Sequence, residues 1–191
     1  MMLIDWNTVL KHCPNITGII HVGAYTGEEA KVYKNIPTIW VEADPDLVKV
    51  CQDKGLNCLH FAATNYTGTA KLNRMPFRPA NSLLEPNLNR RRSDVYVEEV
   101  IEVPARKLMN IQEPLFNMLV MDIQGAELAA LEGTYLRWIS YIYTEVHILP
   151  TYVNVPMMEE IDDYLEDYTR VETKMLKRGW GDALYTYNIQ R

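Results

Sequence analysis

The chain has 191 residues, 48% of them apolar and 23% charged, a composition that suits one soluble domain with a core of ordinary size, and residues 1–191 are expected to form that single domain. Its net charge of −6 argues against a broad electrostatic grip on nucleic acid or anionic lipid. Three cysteines, Cys13, Cys51 and Cys58, follow no metal-type spacing and form no even disulfide set, which fits a reducing cytoplasm.

No apolar run approaches the roughly 18 residues of a membrane span. The start, Met1-Met2-Leu3, lacks the basic flank and cleavage site of a signal peptide, and its doubled Met suits a domain excised from a longer chain. Asp5 is placed to cap a helix over 5–11, with Trp6, Val9 and Leu10 on one face. Residues 16–22 form an apolar, β-branched strand that ends at Gly23. A polar helix is expected from Thr26, whose hydroxyl would cap it, with Glu28 and Glu29 in its first turn. A second strand covers 38–43. Asp44-Pro45 then opens a helix whose stripe is Leu47, Val48 and Cys51, closed by Gly55. Residues 56–63 read as a third strand.

Turn chemistry at 65–68 leads to a short strand over 69–73. Residues 74–94, broken by Pro76, Pro79 and Pro86, read as a long loop of the kind that serves function. An edge strand is expected over 95–103. The continuous apolar run 115–121 predicts a strand covered on both faces. A helix over 126–136, a buried strand over 139–146 and a helix over 157–165 follow. Two last strands, 171–176 and 183–187, have no helix between them and should pair as an antiparallel hairpin. The fold class is therefore α/β, a mostly parallel sheet with helices on both faces.

Ligands of open α/β sheets bind beyond the carboxyl ends of the strands. After the first strand lie Gly23, Ala24, Tyr25, Thr26 and Gly27, small residues that let a ligand approach the backbone; a glycine pair there also serves a plain turn. Glu42 ends the second strand, 19 residues beyond Gly23. An acid at that spacing meets ribose hydroxyls in enzymes that bind NAD and in enzymes that bind S-adenosylmethionine. Ala43 follows it, and Ala62 and Ala63 close the third strand, where a flat ring could lie. Asp122 ends a run of apolar residues, and a carboxylate there needs a partner or a task. Strand alternation puts Glu145 and His147 on one face near it. Such a group suits proton removal from a hydroxyl, and equally a divalent ion, although no metal is assigned.

The segments GIIHVGAYTGEEAKVY, IWVEADPDL, VMDIQGAELAALEG, YTEVH and GWGDALY occur here in the order and spacing of the FkbM-type methyltransferases, which the chain resembles over residues 19–187. The resemblance implies a Rossmann-like class I methyltransferase fold with seven strands and an antiparallel C-terminal hairpin. It implies S-adenosylmethionine held by Gly23, Ala24, Tyr25, Thr26, Gly27, Glu42, Ala43, Ala62, Ala63, Asp122 and Gln124. A transfer site would be formed by Asp122, Glu145 and His147. Ser82 and Asn81, in the loop before the central strands, and Trp180 and Asp182, in the last hairpin, would meet the acceptor. Many members carry an acid where this chain has His21, and a Leu-Asp pair where it has Lys107-Leu108-Met109.

The expected reaction is methyl transfer to a hydroxyl of a sugar or glycan, with His147 as the first candidate base, Glu145 orienting it, and Asp122 as the second. Trp180, Tyr25 and Tyr152 would stack on a sugar ring, and Asn81, Asn87 and Asn89 would bond its hydroxyls. Arg90-Arg91-Arg92 would meet a phosphate if the acceptor is nucleotide- or lipid-linked. An NAD-dependent oxidoreductase and a non-catalytic module of the same fold are the alternatives. Acidity and the lack of an Asn/Asp-Pro-Pro-aromatic motif argue against a nucleic-acid acceptor.

Overall fold

The computed structural model describes residues 2–89 and 95–188. Ten strands follow one another: β1 Ile19–Val22, β2 Thr38–Glu42, β3 Cys58–His60, β4 Ala62–Ala63 and β5 Gly68–Arg74, then β6 Glu99–Arg106, β7 Met118–Met121, β8 Tyr141–His147, β9 Tyr168–Met175 and β10 Trp180–Tyr187. The helices are α1 Trp6–His12, α2 Ala30–Tyr33, α3 Pro45–Asp53, α4 Glu127–Glu132 and α5 Met158–Tyr164. Seven strands form one sheet in the order β3-β2-β1-β7-β8-β10-β9. Its pairings are parallel except at β10, which runs antiparallel to both β8 and β9. The α/β class, the seven strands and the terminal hairpin thus agree with the sequence.

The central strand shows why this sheet forms. All four residues of β7 are buried, and alternation divides them between two cores. Leu119 and Met121 pack with Ala130 and Leu131 of α4 and Ile161 of α5. Met118 and Val120 pack on the other side with Val9 of α1, Tyr33 of α2 and Val48 and Cys51 of α3. Helices therefore cover both faces.

Some boundaries differ from the sequence reading. Asp5 caps α1, but Leu10 turns to solvent and only Val9 of that helix is fully buried. The helix expected from Thr26 shrinks to the four residues of α2, with no side-chain cap. The chain has left-handed backbone at Tyr25 and Gly27, which a helix cannot contain, and Lys34 at φ 53 ends it. The third strand breaks at Phe61 into β3 and β4, because β4 leaves the large sheet to pair with β6. β6 is no edge strand: it is the centre of a second sheet ordered β4-β6-β5, whose own core holds Ala62, Ala70, Leu72, Val103 and Ala105. The helix expected to reach residue 136 ends at Gly133, where a side chain would lie 2.1 Å from the Thr64 carbonyl oxygen. Residues 75–89 are an irregular segment with one 3-10 turn, Arg78–Ala80. The Arg90-Arg91-Arg92 run lies outside the described residues.

Candidate functional site

Beyond the ends of β1, β2, β4 and β7 lie two adjoining cavities. The larger has a volume of about 590 Å³, the smaller about 60 Å³, and both are lined by Gly23, Tyr25, Pro79, Asp122 and Gln124. Gly23 is required at the junction. Its φ of +86 disfavours side chains, and an added Cβ would lie 2.0 Å from the Asp122 carbonyl oxygen. β1 and β7 can therefore close together beneath the cavities.

The smaller cavity forms a slot with mostly apolar lining. Ala43, Leu47, Phe61, Ala62, Ala63, Leu72 and Leu83 supply apolar walls, and Glu42 supplies a carboxylate. Each Glu42 oxygen accepts a backbone N–H, Oε2 from Tyr25 at 2.8 Å and Oε1 from Asp44 at 2.9 Å. Burial pushes its pKa up to about 7, only partly countered by those two donors. Asn81 and Ser82 line this slot and not the larger cavity. Asn81 donates to Asp44 Oδ2 at 3.0 Å and accepts the Met75 N–H at 2.8 Å. Arg74 pairs with Asp44, Asp46 and Glu99 behind it. The segment above the slot is thus anchored to the start of α3.

Of the residues after β1, Gly23 and Tyr25 reach the cavities while Ala24, Thr26 and Gly27 do not. Ala24 packs in the core, and the Thr26 carbonyl accepts the Lys54 ammonium at 2.5 Å. Both residues support the loop from beneath.

At the end of β7, Asp122 is half-buried and faces both cavities. Gln124 Nε2 donates to Asp122 Oδ1 and to Glu145 Oε2, both at 2.7 Å. Glu145 and His147 lie together as alternation required, 3.9 Å apart, but both are buried and neither lines a cavity. His147 Nδ1 is 2.9 Å from the Thr151 hydroxyl. Tyr152 is buried against Gln124 Oε1 at 2.7 Å and so is not offered to a ligand ring. Asn87 bonds the Pro150 carbonyl, and neither it nor Asn89 reaches a cavity. Among the described residues no group of three or more His, Cys, Asp or Glu side chains is arranged to hold a metal ion. No helix among them is long and apolar enough to cross a membrane.

The larger cavity is walled by Tyr25, Phe77, Val95, Tyr143 and Trp180, with Glu28, Glu29, Arg178 and Asp182 as charged groups. His21 also reaches it. Burial holds its imidazole down to about 3, so the ring is neutral, stacked on Trp40 and 2.8 Å from the Tyr33 hydroxyl. Met2 and Leu3 also belong to this wall, which nothing in the local sequence announces. They are held there because Asp182 Oδ2 accepts the Leu3 N–H at 2.6 Å and the Tyr143 hydroxyl, while Tyr143 accepts the Ile4 N–H. Such long-range pairing has no local signature.

Glu127 accepts the Ile123 N–H at 3.0 Å, and burial with Asp122 nearby raises its pKa to about 8. The folded state keeps this proton where an unfolded carboxyl has lost it, so stability should fall as pH rises from about 5 to 8. Glu127→Gln retains the acceptor and removes the charge. Its melting temperature is expected to match the parent near pH 4.5 and to exceed it by several degrees at pH 8.5, measured by calorimetry.

A family profile described as Methyltransferase FkbM domain matches residues 21–171. No curated protein sequence matches the chain. Among solved structures, the methyltransferase FkbM of Methylobacillus flagellatus KT is similar at a TM-score of 0.58 and 18% identity, over 89% of this chain and 43% of that one. The present chain thus spans less than half the length of that relative. The magnesium protoporphyrin IX methyltransferase of Synechocystis PCC 6803, solved with S-adenosylmethionine bound, is similar at 0.52 and 9% identity, over 95% and 76% of the two chains. A protein of Pyrococcus horikoshii OT3 is similar at 0.53 and 7% identity, over 96% and 87%. These likenesses concern the fold. With the profile covering most of its length, the chain belongs to the FkbM methyltransferase family.

Proposed function

We propose that the chain is an S-adenosylmethionine-dependent O-methyltransferase whose acceptor is a sugar or glycan hydroxyl. The observation that carries this reading is the placement of Asp122, the carboxylate common to an apolar slot with an acid at its end and a roomier cavity beside it. The slot residues suit the cofactor. Ala43, Ala62, Ala63 and Phe61 offer flat apolar surface to an adenine, Glu42 has lone pairs left for ribose hydroxyls, and Gly23 leaves its backbone open to the methionine part. When bound, S-adenosylmethionine supplies a methyl group already activated on a sulfonium.

The protein is then left with alignment and one proton. Asp122 sits where an acceptor hydroxyl entering from the larger cavity must meet the cofactor, and it takes that proton as general base. Glu145 and His147 act from behind, since neither reaches the cavity. Tyr25, Trp180 and Phe77 give ring faces for a sugar, and Asp182, Arg178 and Glu28 give polar groups for its hydroxyls.

Calorimetric titration with S-adenosylhomocysteine, with NAD as the parallel control, tests the cofactor class. Micromolar binding of the first and none of the second is expected, after which sugars are screened for methyl transfer. Binding of NAD alone would replace this reading by a dehydrogenase.

A further inference from the structure

Gln124 has more bonds than any cofactor contact needs. Its backbone is left-handed, at φ 58, and the next residue, Gly125, lies at φ 101. For a residue other than glycine this conformation is uncommon and persists when the surroundings impose it. They do so at every polar atom the residue offers into the site. Both amide hydrogens go to carboxylates, one to Asp122 and one to Glu145. The amide oxygen receives the Tyr152 hydroxyl, which also lies 3.2 Å from the Ala80 carbonyl. The main-chain carbonyl receives the Ser82 hydroxyl at 2.7 Å. Two acceptors on one side and a phenol on the other assign the amide orientation, because the flipped amide would set its oxygen against two carboxylates. Gln124 thus lines both cavities yet has both amide hydrogens engaged by carboxylates.

We propose that Gln124 is a positioning residue for methyl transfer: its amide orients Asp122 at the cavity junction by bridging it to Glu145, and Ser82 and Tyr152 fix Gln124 through its main-chain carbonyl and its amide oxygen. This inference rests on the reading of Asp122 as the base. The physical need is plain. The two bonded oxygens share one nitrogen at 2.7 Å each, so they lie at most twice that distance apart. Like charges so close push one carboxyl to keep its proton, and two charge-assisted N–H bonds oppose that. Arg78 lines the slot and Arg178 the larger cavity, so two cations also face the space around Asp122. Glu127 of α4 and Asp182 of β10 are acids coupled to it, and His147 meets Glu145 from the far side. What the amide alone among these groups is seen to do is bond both carboxylates at once, and that holds the pair together.

The test follows the Asp122 carboxyl by ¹³C NMR, its resonance assigned through Asp122→Asn, in the full chain saturated with S-adenosylhomocysteine. Gln124→Leu keeps much of the volume and removes both donors, and Gln124→Glu replaces them by a third carboxyl. In both, the Asp122 midpoint is expected to rise by about 1 pH unit or more, furthest in Gln124→Glu. Tyr152→Phe, which releases the amide oxygen and leaves the donors in place, should give a smaller rise and serves if the Gln124 variants do not fold. A midpoint unmoved in the folded variants, including Tyr152→Phe when it alone folds, overturns the proposal. The titration reads Gln124 whether or not Asp122 is the base, whereas a fully active Asp122→Asn would overturn the base and leave the titration standing.

Discussion

Asp122→Asn is expected to lower the methyl-transfer rate by about 10²- to 10⁴-fold while changing the affinity for S-adenosylhomocysteine no more than a few-fold. The substitution is nearly isosteric, and the amide oxygen of Asn can still accept the Gln124 N–H at the position of Oδ1. What it removes is the basic lone pair at the wall between the slot and the larger cavity. Single-turnover transfer to an acceptor found in the sugar screen measures the rate, and calorimetry measures the affinity.

The same assay decides between Asp122 and His147. A base must come within hydrogen-bond reach of the proton it takes, and His147 is buried outside both cavities, between Glu145 and Thr151. His147→Gln should therefore cost less than about tenfold, acting through the tilt of Glu145. If His147→Gln abolishes transfer and Asp122→Asn retains more than a tenth of it, the imidazole is the base, reached after a movement of the surrounding loops. The opposite pattern assigns the proton to Asp122.

The strands and their order were legible because burial on two faces leaves an unmistakable apolar run, as in β7, and because nothing helical separates β9 from β10. Glu42 and Asp122 were legible for a related reason: a carboxylate closing such a run is conspicuous. Alternation also placed Glu145 and His147 on one face correctly. It carries no information about depth, so it could not show that Gln124 lies across Asp122 and Glu145 and leaves His147 behind. The break at Phe61 and the central place of β6 depend on pairing across about 40 residues, and neither β4 nor β6 announces its partner locally. Tyr152 and Leu3 escaped for the same reason. A tyrosine in a loop reads as exposed until its hydroxyl is seen against Gln124, and an amide near the start of the chain carries no mark of an aspartate at residue 182.

Glu42 gives the second large effect, and its sign follows from burial. With its pKa raised to about 7, a sizeable fraction of the ligand-free protein carries a neutral Glu42 near neutrality. Ribose hydroxyls donate most strongly to the ionised form, so binding at lower pH must first expel a proton. The dissociation constant for S-adenosylhomocysteine is therefore expected to be flat above about pH 8 and to climb towards tenfold per unit below pH 7. Calorimetry at pH 6.5 in two buffers of different ionisation enthalpy should register the proton released. Glu42→Gln removes the charge, keeps one acceptor for one of the N–H groups of Tyr25 and Asp44, which now meet the carboxylate at 2.8 and 2.9 Å, and sets its NH2 against the other. Affinity in that variant should fall by about 100-fold at pH 8, the worth of two charge-assisted bonds, and its pH dependence should vanish. An affinity that keeps the parent's slope in Glu42→Gln would place the titrating group elsewhere, with Asp182, raised to about 6 on the wall of the larger cavity, as the next to test.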